Sequence, residues 1–212
     1  MSARSVVVLG LESRYAFEVL DLLAAAGVDV SACLPSAYDS ELAGSFPCLA
    51  VPESARFHGT DFVVPLLTPG RRKLRAEEGV GLGMRAGPPV VHPTSVVSPS
   101  ARIAPGGLIG PGAVIGSNVT CGRFFIANRV ASAGHDCVFG DFCTIGPSSA
   151  ICGASVLEDG VYVGAGAVVL PKVRIGSNAV IAMLLPYAAE SFPLRIRGRT
   201  TGWIAACTKL GG

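Results

Sequence analysis

The sequence predicts a mixed architecture: a small Rossmann-like α/β domain over residues 1–88, a parallel β-helix over 89–185 and a C-terminal extension over 186–212. Three observations predict it. An apolar residue recurs at every sixth position from Val91 to Ile181. The first 88 residues instead alternate short apolar runs with an amphipathic helical pattern. A stretch rich in Gly and Pro, Gly79 to Pro89, separates the two and reads as a linker.

The first domain begins with Val6-Val7-Val8-Leu9, a short buried strand, followed by Gly10. A helix then runs to about Ala26, with Tyr15, Val19, Leu22 and Leu23 among its apolar positions. Gly27 closes it. Val28 to Leu34 reads as a second strand and Asp61 to Leu67 as a third, while Arg71 to Glu78 is charged and helix-forming. Strand, helix, strand at this spacing suggests a parallel sheet of the nucleotide-binding type. Its phosphate loop is poor, however. Of a G-x-G-x-x-G pattern only Gly10 stands in Gly10-Leu11-Glu12-Ser13-Arg14, and Glu12 sets a negative side chain where a phosphate would approach. The second strand ends in Cys33-Leu34-Pro35-Ser36, which offers a ribose no acid. The favoured role is therefore structural, shaping an acceptor pocket against the solenoid.

In the second domain the six-residue step passes Val91, Val97, Ile103, Ile109, Ile115, Cys121, Ala127, Ala133, Phe139, Ile145, Ile151, Leu157, Val163, Val169, Ile175 and Ile181 without slipping. Neither a 3.6-residue nor a two-residue period produces this. Four residues further on the side chain is mostly small, as at Ala101, Ala113, Ala131, Cys137, Cys143, Ser149, Ser155 and Ala167. Such hexapeptide units make triangular coils of about eighteen residues, stacked at strand spacing, so the run holds about five coils. Gly often follows the inward residue, as at Gly116, Gly134 and Gly164, and is expected to supply the backbone freedom of each corner. The register holds no long insertion, which predicts a smooth prism.

Composition narrows the function. A net charge of +2 gives no electrostatic case for nucleic acid or a membrane surface as partner. The seven cysteines form no CxxC pair or metal spacing, and three fall at inward solenoid positions, usage that suits the reducing cytoplasm. The apolar N-terminus is cut short by Glu12 and Arg14, too soon for a signal peptide or membrane span.

Chemistry must then come from the solenoid surface, where one ionisable side chain at a corner stands out. His135 stands two places after inward Ala133, in Ala133-Gly134-His135-Asp136-Cys137, and is expected to face outward into a groove. An imidazole there can take a proton from an amine or hydroxyl attacking an acyl carbonyl, with Asp136 fixing its tautomer. The competing reading is a surface histidine without a role.

These residues carry a family resemblance. The stretch His92-Pro93-Thr94-Ser95 with Ser98-Pro99-Ser100-Ala101 is similar to the entry to the solenoid in hexapeptide-repeat acyltransferases, the left-handed β-helix group that includes sialic acid O-acetyltransferases and UDP-amino-sugar N-acetyltransferases. Asn128, the string His135 to Phe142 and the string Val163 to Pro171 resemble the same family. The resemblance implies a homotrimer with active sites between neighbouring solenoids and acetyl-CoA or another acyl-CoA as co-substrate. It implies His135 as general base oriented by Asp136, a backbone amide at Gly153 for the thioester carbonyl, and direct transfer without an acyl-enzyme. It aligns Ala165 and Met183 with the pantetheine-contacting stretch and Asn128 with a substrate-binding position. It requires no metal.

The chain departs from the family at Gly10-Leu11-Glu12-Ser13 and Leu34-Pro35-Ser36, where relatives hold UDP, and at Ala182-Met183-Leu184-Leu185-Pro186. Arg195, Arg197 and Arg199 are candidate CoA-phosphate contacts or a solvated tail, and Trp203 a packing aromatic. The expected activity is acyl-CoA-dependent N- or O-acyl transfer to a sugar or sugar-like metabolite. Alternatives are transfer to a non-sugar natural product and a non-catalytic scaffold or regulatory subunit. A γ-type carbonic anhydrase needs three zinc-binding histidines, whereas His58 lies outside the repeat and His92 and His135 are 43 residues apart.

Overall fold

The structure is a computed structural model, and it describes residues 4–34 and 57–182. The N-terminal part is a four-stranded parallel sheet with two helices. Strand β1 (Ser5–Leu9) leads through helix α1 (Tyr15–Ala25) to β2 (Asp29–Leu34); β3 (Asp61–Val63) leads through α2 (Pro69–Gly81) to β4 (Arg85–Ala86). The strand order is β2-β1-β3-β4. Val6, Val7, Val8 and Leu9 are all buried, as expected of a parallel strand covered on both faces. Gly27 ends α1 in the left-handed region at φ 66°, and the Val28 amide reaches back to the Leu23 carbonyl at 2.9 Å.

Two expectations need correcting here. The stretch Gly79 to Pro89 is not simply a linker: α2 continues to Gly81 and Arg85–Ala86 pairs with Asp61–Phe62. Gly79 is helical because α2 crosses the sheet closely there. A Cβ at Gly79 would stand 2.8 Å from the Phe62 ring. The third strand is also shorter than expected, ending at Val63 rather than Leu67. Beyond it the carbonyls of Leu66 and Leu67 bond to the Arg72 side chain.

From Val90 onward sixteen two-residue strands form three parallel sheets, the faces of a left-handed-type prism of about five turns. Face I contains Val90–Val91, Leu108–Ile109, Ile126–Ala127, Thr144–Ile145, Tyr162–Val163 and Val180–Ile181. Face II contains Val96–Val97, Val114–Ile115, Ser132–Ala133, Ala150–Ile151 and Val168–Val169. Face III contains Arg102–Ile103, Thr120–Cys121, Val138–Phe139, Val156–Leu157 and Arg174–Ile175. Partners lie one coil apart, Thr120 opposite Val138 and Ile126 opposite Thr144. All sixteen residues of the six-step register belong to one apolar interior, with only Val91, Val97, Ile103 and Ile181 at the ends partly exposed. Where the register supplies the small residues Cys121 and Ala127, Phe125 fills the space, its ring 4.8 Å from that of Phe139. Buried Ser149 and Ser155 satisfy their hydroxyls on the carbonyls of Gly146 and Cys152 at 2.8 and 2.9 Å.

The corner glycines have a different reason from the one expected. Gly116, Gly134 and Gly164 have no positive φ; the left-handed residue is the one three places after the inward position, as at Asn118, Phe124, Asp136 and Ala154. What the glycines permit is close stacking. A Cβ at Gly134 would lie 2.8 Å from the Gly153 nitrogen, and one at Gly122 would lie 2.5 Å from the Gly140 carbonyl carbon.

The N-terminal sheet and the prism share a core. Val90, Leu108 and Ile126 of face I pack with Val6, Val8, Val19 and Leu23, and Phe124 and Phe142 pack with Leu9, Phe62 and Ala76. Arg72 of α2 is fully buried in this junction. Its guanidinium donates to the carbonyls of Leu66, Leu67, Phe142 and Cys143 and to the Thr144 hydroxyl at 2.9 Å. Burial pushes its pKa down to about 10. It therefore stays charged at neutral pH, and the oxygens around it offset the cost of desolvation.

Candidate functional site

His135 and Asp136 occupy the corner between the Ser132–Ala133 strand of face II and the Val138–Phe139 strand of face III. The stacking of coils builds this corner. The Asp136 amide bonds the Ser117 carbonyl one coil back at 2.9 Å, and the Ala154 amide bonds the His135 carbonyl at 2.8 Å. Asp136 sits at φ 58°, a conformation that Asp tolerates. That twist brings its carboxylate back to His135, Oδ2 lying 2.7 Å from Nδ1. The other oxygen accepts from Asn118 Nδ2 at 3.2 Å. The two hydrogen bonds, His135 first and Asn118 second, hold the Asp136 carboxyl below its usual range. An ionised Asp136 fixes Nδ1 as the protonated nitrogen and leaves Nε2 as a proton acceptor.

The imidazole is 70% exposed, as the sequence led one to expect. It lies against Gly153 of the next coil, where an added Cβ would be 2.6 Å from Nε2. Only a residue without a side chain fits beneath the ring. The Gly153 amide donates to no group among the described residues and so remains available beside Nε2. Two of the cysteines nearby, Cys137 and Cys143, are buried free thiols. Burial raises the pKa of Cys137, whose sulfur faces the Cys152 carbonyl at 3.2 Å, and pushes Cys143 up to about 11. Among the described residues no three His, Cys, Asp or Glu side chains gather as a metal site.

The other residues singled out in the sequence lie elsewhere on the same chain. Asn128 and Ala165 both belong to the corner between faces I and II. Asn128 is buried, its Oδ1 accepting from the Arg129 amide at 2.7 Å, while Ala165 is exposed. Met183, Arg195, Arg197, Arg199 and Trp203 lie outside the described residues. The candidates therefore fall on two corners, one at each edge of face II. Asn118 was not anticipated. Its signal is the coil length, since it precedes Asp136 by one full turn and shares its column. A cleft of about 320 Å³ lies at a third corner, between α2 and Arg123, Asp141, Asp159 and Asn178, away from His135. Two of its charged walls pair with each other, Arg123 with Asp141 at 2.7 Å.

No protein-family model matches the chain, and no curated protein matches it. Solved structures do. The acetyltransferase domain of PglB from Neisseria gonorrhoeae FA1090, in complex with acetyl coenzyme A, superposes with a TM-score of 0.62 at 24% identity over 84% of this chain and 96% of its own. PerB from Caulobacter crescentus, in complex with CoA and GDP-perosamine, gives 0.63 at 23% identity over 85% and 95%. WeeI from Acinetobacter baumannii AYE gives 0.69 at 21% identity over 84% and 92%. At these identities the likeness establishes a shared fold. Among the described residues no helix is long and apolar enough to cross a membrane.

Proposed function

We propose that this chain is an acyl-CoA-dependent acyltransferase, with acetyl-CoA as donor, acting on an amino or hydroxyl group of a sugar or sugar-like metabolite in the cytoplasm. The observation that carries the reading is the His135 imidazole, pinned through Nδ1 by Asp136 at 2.7 Å and presenting Nε2 beside a free amide at Gly153. Two solved structures of the same fold, described as holding acetyl-CoA or CoA, point the same way. In the reaction His135 Nε2 takes the proton of the acceptor as its nitrogen or oxygen bonds to the acyl carbon. The Gly153 N–H stabilises the oxyanion of the tetrahedral species. When the carbon–sulfur bond breaks, the imidazolium returns its proton to the departing thiolate. No acyl-enzyme forms, and burial keeps the Cys137 and Cys143 thiols protonated.

The catalytic role belongs to residues 89–185, and residues 1–88, as the Rossmann-like domain, shape the acceptor side. The assembly is a homotrimer. What supports it is the division of candidates between the two edges of face II, whose outward Val96, Val114 and Val168 are 63%, 42% and 61% exposed. A second copy seated along this face would bring its Ala165 corner, with Asn128, toward His135 and complete the groove for the pantetheine arm. Acetyl-CoA offered with a panel of amino sugars, followed by thiol release, tests the reading. Absence of release with every acceptor, together with absence of CoA binding by calorimetry, would refute it.

A further inference from the structure

In parallel α/β sheets a bound nucleotide settles at the carboxyl ends of the strands where chain order reverses, its phosphates against a glycine turn and a helix N-terminus. Here the order β2-β1-β3-β4 places that reversal between β1 and β3. Gly10 leads out of β1 at φ 91°, the glycine such a turn requires. The space over it is occupied from within. A Cβ at Gly10 would stand 2.8 Å from Glu12 Oε2 and 3.3 Å from Arg75 Cγ. The charge lying against the bare Cα is thus a carboxylate.

The arrangement is held firmly. Glu12 Oε1 accepts from Arg75 Nε at 2.7 Å, with both side chains almost out of solvent at 12% and 13% exposed. Arg75 also pairs with Glu78, so two carboxylates share one guanidinium and the cluster carries a net negative charge. Glu12 Oε2 is buried and has no hydrogen-bond partner among the described residues. A phosphate arriving here would meet an anion poorly screened by water, and Arg75 is already engaged. A neutral or cationic group would instead find an acceptor oxygen.

We infer that Glu12 closes the β1 turn to a diphosphate, so that the acceptor carries no nucleotide. The inference deepens the acyltransferase reading and rests on it for the word acceptor. The deciding experiment does not depend on turnover. GDP and UDP are titrated calorimetrically into the full-length protein and into Glu12→Ala and Glu12→Gln, with circular dichroism identifying which variant keeps the native melt. Gln keeps the bulk and removes the charge, whereas Ala removes both. The expected result is no heat with the unaltered protein up to millimolar nucleotide, and a gain of about tenfold or more in affinity in a folded variant. Micromolar binding by the unaltered protein would overturn the inference. So would a folded variant that gains nothing. Coenzyme A titrated into the same samples reports separately on the acyltransferase reading, because its failure to bind would sink that reading and leave the nucleotide result standing.

Discussion

Faces I and II of the prism both turn apolar side chains outward, yet among the described residues only face I is covered by its own chain. On face I, Val90, Leu108 and Ile126 are buried at 1% exposure or less beneath the N-terminal sheet. On face II, Val96 and Val168 stand in solvent. Inward positions are dictated by the coil, but outward ones are free to be polar, as Arg102 and Arg174 show on face III. An outward apolar row is therefore a sign of a partner surface. The difference separates two kinds of residue: those along face I hold the sheet to the prism, and those bordering face II include the candidates of the proposed site.

The sharpest way to break that comparison is His135→Ala. It should lower kcat by about 10²- to 10⁴-fold. Because the side chain is 70% exposed, the melting temperature should hardly move. A fall in stability with activity intact would invert the assignment. Arg72→Met tests the covered face. Removing the guanidinium orphans the carbonyls it serves and should cost about 3 kcal/mol in urea unfolding. Val168→Asp tests the bare one: light scattering should report loss of the assembly, with the melt of the separated chain little changed. Asp136→Asn is the gentlest probe and should reduce kcat about tenfold through the tautomer. Since its two hydrogen bonds depress the Asp136 pKa, the carboxylate is ionised throughout the range in which a histidine titrates. The pairing is thus present above the ordinary carboxylate range and lost only as pH falls through the lowered value. The acid limb of kcat/KM should accordingly follow a single proton.

Much of this was legible in the residues. The six-step register from Val91 to Ile181 identified the inward side chain of every strand, because each two-residue strand turns one side chain into the core. His135 could be found because it stands out at a corner as a titratable group. Two things were hidden. The corner glycines looked like turn formers, but their use depends on the approach of the next coil, a distance that one coil's sequence does not contain. Arg72 looked like one more charge on a helix, since its partners at Phe142, Cys143 and Thr144 lie about seventy residues away. Asn118 fell between these cases: visible once the chain is written in rows of one coil, invisible when written in a line.

That eighteen-residue pairing, Thr120 beside Val138 and Val138 beside Val156, makes the prism an object of discrete lengths. Duplicating one whole coil beyond Gly164 would lengthen the stack and leave His135 on its edge, facing the same neighbour. Duplicating a single hexapeptide between Gly110 and Gly134 would keep every apolar side chain indoors while carrying the imidazole round to the next vertex. The apolar register would survive such an edit, but His135 would face another side and Arg72 would lose its partners at Phe142, Cys143 and Thr144.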